Sequence, residues 1–302
     1  MVPVAENSKI EWTHHTMNFW LGCTALSPAC NHCYAEVWAK RTGNADLWQG
    51  ERRRTSAALW RQPAKWDAAC ASAGIRQRVF TNSLADFFDN QAREDWRSDA
   101  WVTIHQTPHL DWMILTKRPE NIRKMLPGGD TFRLQPWGDG WANVWLGTTI
   151  EDRARLHRLD KLRAVPAAVR FLSIEPLLED LGELDLSGIH LVIVGGESGP
   201  KSRPMHPAWV RSLREQCAVQ GVPFFFKQWG EWQPREWCRD GGTHAMRAWS
   251  GQISFQAIQS HPNSIERVGA GPEWSAFARV GKKAAGRLLD GVEHNGFPEV
   301  RR

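Results

Sequence analysis

The stretch DWMILTKRPENIRKM, Asp111–Met125, sets the pattern from which the fold is read. Its first half is apolar at consecutive positions, as in a strand covered on both faces. A polar turn, Thr116-Lys117-Arg118, follows, and then a helix-like segment, Arg118–Met125. The same order recurs on either side. Strand-like runs are expected at His15–Leu21, Arg78–Thr81, Asn143–Gly147, Arg170–Ile174, His190–Val194 and Pro223–Phe226. Helix-like stretches are expected at Tyr34–Arg41, Asp89–Gln106, Arg153–Ala164 and Pro207–Gln220. Alternation of this kind means right-handed βαβ units on a mostly parallel sheet. The fold class is therefore α/β, a full or partial (β/α) barrel, with an open doubly wound sheet as the competing architecture.

Either architecture places function at the C-terminal ends of the strands. The residues directly after the runs are Asn82, Ser83 and Asp86; Thr116, Lys117 and Arg118; Thr148 and Glu151; Glu175; Gly195, Gly196, Glu197 and Ser198; and Lys227 with Gln228. Carboxylates, amides and cations thus collect at one rim. After about Trp237 the alternation fails. The expected division is a barrel over 1–236 and an extension over 237–302 that packs on the barrel or its mouth. Within the extension, Gly281–Asp290 reads as a short, solvated surface helix with a basic face.

Hydrophobic residues make up 42% of the 302 positions and charged residues 24%, enough for a large core and against global disorder. No apolar run approaches the roughly 18–20 residues that cross a bilayer. The first residues lack a basic-then-apolar signal pattern, so a cytoplasmic protein is expected. A net charge of +5 accommodates contact with nucleic acid without requiring it. The eighteen Trp beside a single Tyr could stack on bases, although most are assigned to core or pocket walls. Arg52-Arg53-Arg54, near Trp48 and Trp60, is the best basic patch, and such a run is more often a solvated face than a phosphate site.

Three of six cysteines fall within eleven positions, in GCTALSPACNHCYAE (22–36). Crowding of that kind in a reducing compartment argues for metal or redox chemistry over bridging, whereas Cys70, Cys217 and Cys238 are scattered. The motif Cys23-x6-Cys30-x2-Cys33 lies between the first strand and the first helix, and Ser27-Pro28 suits a turn that lets the thiolates converge. Thiolates serve zinc or iron–sulfur clusters. Four protein ligands would close either site, whereas three leave one iron of a [4Fe–4S] cluster open to an outside ligand. The spacing alone also admits zinc completed by His32, a distant His, Cys70 or Cys217.

The run from Ile10 to about Trp232 resembles a phage-associated three-cysteine family related to radical-SAM enzymes. The matching segments, in order, are IEWTHHTMNFWLGCTALSPACNHCYAE, RVFTNSLADFF, MILTKRP, NVWLGTTIE, RFLSIEPLL, VIVGGESGPKSRPM and VPFFFKQWGEW, followed by GKKAAGRLLDG near the end. The wider superfamily uses C-x3-C-x2-C with an aromatic before the last cysteine. Here the first spacer is six residues, and His32 takes the aromatic place.

The resemblance implies that Cys23, Cys30 and Cys33 hold a [4Fe–4S] cluster, and that S-adenosylmethionine (SAM) chelates its open iron. It implies cofactor contacts from Asn82, Ser83, Asp86, Thr148, Glu151, Gly195, Gly196, Glu197 and Ser198. It further implies roles at the reacting groups for Lys117, Glu175 and Lys227, with Arg118 neutralising a carboxylate or phosphate and Trp229 stacking on a base. The expected enzyme cleaves SAM reductively to start radical chemistry, fed by a flavodoxin- or ferredoxin-like electron donor. The expected substrate is a nucleic-acid base, specifically phage DNA thymidine whose amino-acid decoration is rearranged, in the cytoplasm of the host. The competing reading is a nucleic-acid-binding protein with a structural zinc or an inert iron–sulfur site.

Overall fold

A computed structural model describes residues 4–128, 134–235, 244–248, 253–254 and 274–299; Cys238 and much of the extension lie outside them. Seven strands carry the fold: β1 (His15–Met17), β2 (Gln77–Thr81), β3 (Leu110–Thr116), β4 (Val144–Thr149), β5 (Val169–Ile174), β6 (Leu191–Gly195) and β7 (Phe224–Gln228). The helices are α1 (Tyr34–Arg41), α2 (Gln62–Ala73), α3 (Glu94–His105), α4 (Pro119–Met125), α5 (His157–Arg163) and α6 (Pro207–Val219). Sheet order follows chain order from β1 to β7, with Val4–Ala5 antiparallel on β1. This is the partial (β/α) barrel topology, seven parallel strands in place of eight. Every residue of β4 and β6 is buried, which is why those runs are apolar without alternation.

The sequence gives no expectation of α2. Its twelve residues, QPAKWDAACASA, bury only Pro63, Trp66 and Cys70, so the apolar period is too faint to read. The segment expected to be helical over Gly281–Asp290 forms a single turn, Lys282–Ala285. Gly286, at φ +71°, stops it. Among the described residues no helix is long and apolar enough to cross a membrane.

The chain divides into two compact units. The first is Met1–Thr149 with His157–Leu172 and Glu299–Arg302; the second is Ile150–Leu156 with Ser173–Pro298. In the first, β1, β2, β3 and β4 pair in parallel, with His15 opposite Val79, Val79 opposite Trp112 and Ile114 opposite Leu146. Aromatic rings knit its core: Phe19 stacks on Trp112 at 5.7 Å, Phe87 meets Trp101 edge-on at 4.9 Å, and Trp101 meets both Trp137 and Trp141. Much of the tryptophan content is therefore core, with Trp12, Trp20, Trp101, Trp112 and Trp209 fully buried.

In the second unit β6 and β7 are parallel, with Ile193 opposite Phe225, and the register shifts between Phe226 and Gln228. The end of the extension lies along β7: the Phe226 N–H donates to the His294 carbonyl at 3.0 Å, and Asn295 bridges Phe225 antiparallel. A parallel strand that would otherwise offer unpaired backbone groups is thereby capped. Trp232–Arg235, Trp274–Arg279, His244–Ala248 and Ile253–Ser254 form a separate antiparallel sheet in that order.

Candidate functional site

The cysteine loop is tied to its own unit at both ends. Gly22, at φ +105°, starts it, and a side chain there would run into the Glu51 carbonyl. The Gly22 N–H donates to Leu84 and the Cys23 N–H to Leu47. Pro28–Cys30 form a 3₁₀ turn, the Cys33 N–H donates to the Cys30 carbonyl at 3.2 Å, and Cys33 is the residue that caps α1. All three sulfurs belong to residues that are partly exposed. The Leu26 N–H donates to Cys30 Sγ at 3.5 Å, and Arg118 Nη1 donates to Cys23 Sγ at 3.8 Å. Burial, seconded by the Asp86 carboxylate, pushes the free Cys23 thiol up to about 11.

Among the described residues no three His, Cys, Asp or Glu side chains are grouped to hold a single metal ion. A cubane takes one thiolate per iron, so its three ligands stand farther apart than those of one zinc. The donor set (three soft sulfurs on one loop, two of them receiving N–H bonds) fits an iron–sulfur cluster better than a mononuclear site.

Behind the loop lies a connected polar network. Asp86 Oδ1 accepts from Thr116 Oγ1 at 2.6 Å and from the Phe88 N–H, and Oδ2 accepts from the Lys117 N–H and from Arg118 Nη1, both at 3.0 Å. The Asp86–Arg118 pair is almost wholly shielded from water. Burial pulls the Arg118 pKa down, but Asp86, Cys23 and Asp89 together outweigh it and the net shift is upward, so the guanidinium stays charged. Arg118 Nη2 then donates to the Thr24 carbonyl at 3.1 Å. A second arginine reaches the same residue: Arg52 Nη2 donates to Thr24 Oγ1 at 2.8 Å and to Gln91, while its Nε holds Asp89 at 2.7 Å.

Asn82, at φ +58°, accepts the Phe19 N–H on Oδ1, whereas its Nδ2 is buried with no hydrogen-bond partner. Ser83 Oγ accepts from Asn18, and Tyr34 OH donates to the Ser83 carbonyl at 2.7 Å, fixing α1 to the end of β2. Thr148 donates to the Thr116 carbonyl at 3.0 Å.

In the second unit the predicted residues are brought together in pairs. Lys227 Nζ contacts Glu175 Oε1. Glu197 takes Arg203 through both carboxylate oxygens, at 2.5 and 2.8 Å, and also accepts the Arg203 N–H. Gln228 Nε2 donates to Ser198 Oγ at 2.8 Å and to the Gly196 carbonyl, leaving its buried Oε1 without a partner. Glu151 lies 3.8 Å from Arg155.

Gly196 is small because the Trp229 carbonyl crosses it, and Gly195 because the Glu175 carboxyl packs on it; both open the way to protein atoms. Trp229 is buried with Nε1 on the Leu288 carbonyl, which leaves no face for stacking. The Arg52–Arg54 run is no free basic patch: Arg52 pairs with Asp89, Arg53 with Asp46, and Arg54 with Asp99 while lying over Trp60. Arg52, Asp89, Gln91 and Thr24 went unrecognised as supports of the loop. The signal available was an arginine run paired with carboxylates three apart, Asp86 and Asp89, in SLADFFD.

A family model described as "Protein of unknown function (DUF5131)" matches residues 7–298. No curated protein matches the chain. Solved structures of spore photoproduct lyase are similar at low level. One, a mutant with dinucleoside spore photoproduct, is 11% identical with a TM-score of 0.43, covering 90% of this chain and 70% of that one. Another, a double mutant with bound AdoMet and dinucleoside spore photoproduct, is 13% identical with a TM-score of 0.39, covering 68% of this chain. The chain spans 61% of the length of that lyase.

Proposed function

We propose that this chain, which belongs to the DUF5131 family of proteins of unknown function, is a radical-SAM enzyme whose substrate is a nucleic-acid base. The observation that carries the reading is the loop from Gly22 to Cys33, which supplies three thiol ligands and no fourth. Cys23, Cys30 and Cys33 would hold a [4Fe–4S] cluster. Such a cluster, once loaded, would supply the electron for reductive cleavage of SAM, the chemistry that starts a radical reaction.

The chain's own residues do the rest. Arg118 and Arg52 keep the first limb of the loop in place, and Tyr34 keeps the second limb's helix on β2. Asn82 Nδ2, a buried donor with no partner, is offered to a SAM carboxylate. Contacts from Ser83, Asp86, Thr148, Glu151 and the Gly195–Ser198 segment to SAM belong to the same proposal. In this reading Lys117 meets anionic substrate groups. Glu175 and Lys227, already in contact, exchange a proton with the substrate. The favoured substrate is phage DNA thymidine carrying an amino acid, whose linkage is rearranged from nitrogen to carbon. The support for it is the overall charge of +5 and the family resemblance.

Reduced, reconstituted protein should form 5′-deoxyadenosine from SAM, faster with decorated DNA and not at all after Cys30→Ala. A colourless zinc protein that binds nucleic acid and leaves SAM intact would replace the enzyme reading with a binding one. Turnover of SAM that no nucleic acid stimulates would refute the substrate class alone.

A further inference from the structure

Thr24 is gripped twice, at its carbonyl by Arg118 and at its hydroxyl by Arg52, directly after the first cysteine. Further along the loop, Cys30 and Cys33 sit on backbone turn bonds. Arg118 also donates to a cysteine sulfur, Cys23 Sγ. Its charge is shielded from water and faces the Asp86 carboxylate at 3.0 Å.

We infer that Arg118 is a positioning residue that fixes Cys23 and, by its charge, raises the potential at which a cluster on the three cysteines accepts an electron. The inference rests on the cluster reading above and extends it to this chain's control over the cluster. A donated N–H bond and a nearby cation stabilise the more negative, reduced state of a thiolate-bound cluster, and these are known levers on potential. Asp86 acts on the same sulfur with the opposite sign. The pair therefore makes a two-way test that simple loosening of the loop cannot imitate.

The experiment is an EPR-monitored redox titration of the anaerobically reconstituted full chain, with iron and sulfide counted for each variant. Arg118→Gln should take up cluster and show a more negative midpoint, by about tenfold in the oxidised-to-reduced ratio, or about 59 mV for a one-electron couple. Arg118→Lys should lie between it and the starting protein. Asp86→Asn should move the midpoint the other way, to more positive values. An unchanged midpoint in a fully loaded Arg118→Gln protein overturns the inference, as does a shift of the same sign in Asp86→Asn. If Arg118→Gln does not accumulate folded, Asp86→Asn decides alone: a positive shift sustains the inference, and none or a negative one ends it. A starting protein that takes no cluster overturns the underlying reading and this inference together, whereas a loaded protein with insensitive potentials overturns only the inference.

Discussion

At the ends of β2 and β3 the polar side chains bind backbone and loop; at the ends of β6 and β7 they bind one another. Asp86 collects two N–H groups, a hydroxyl and a guanidinium from two stretches of chain, and the guanidinium passes on to Thr24 and Cys23. Glu197 with Arg203, and Glu175 with Lys227, are ion pairs within the second unit. Strand-end carboxylates and cations are thus of two kinds, those that tie backbone and loop together and those paired with a charge of their own unit. Only the first kind is attached to a recognisable ligand set.

The sharpest break in that comparison is Cys30→Ala, which should abolish cluster uptake, measured as iron and sulfide per chain. Loss of one residue from the second unit, such as Glu197→Gln, should leave uptake intact. If both abolish it, the support of the ligand set is not confined to the first unit. Next in size is Asp86→Ala. It strands Arg118 as a shielded, uncompensated charge and should cost about 3–5 kcal/mol in denaturant unfolding. For the Glu175–Lys227 pair, a double-mutant cycle with Glu175→Gln and Lys227→Met should give a coupling of about 0.5–3 kcal/mol. A coupling near zero would mean the two residues are not paired in solution.

Acid separates the units further. Burial holds the His15 pKa, like that of His14, below its ordinary 6.5, so the folded chain refuses a proton that the unfolded chain accepts. Stability should fall as pH drops below 6.5, and His15→Gln should flatten that slope. In the second unit, bonds from Arg211 hold the Asp290 carboxyl below 3.8, so its contribution is lost only as pH falls beneath that value. The smallest effect expected is from Arg53→Ala, whose pair with Asp46 is half exposed and should be worth about 0.2–1 kcal/mol.

The strands were legible because a strand covered on both faces must be apolar throughout, as LVIV and WMIL are. Helix α1 was legible to the residue, since its charges sit on one face, with Lys40 reaching Glu36 at 2.7 Å. Helix α2 was not, because alanines carry no periodic signal. The cysteine triplet was visible by spacing, but its support was not. Arg52 and Arg118 reach Thr24 from 28 and 94 positions away, and nothing local marks that meeting. The Gly195-Gly196 pair shows a related limit: a glycine that admits a ligand and one that admits a crossing chain look alike in sequence.

The central claim is that three cysteines of one loop hold an iron–sulfur cluster with one iron left for SAM. Mössbauer spectra of the ⁵⁷Fe-reconstituted protein, taken before and after adding SAM, test it most directly. The account predicts a cubane in which one iron alone changes its signal with SAM, and no cubane after Cys23→Ala. A spectrum indifferent to SAM, or a protein that takes zinc in place of iron, would contradict it.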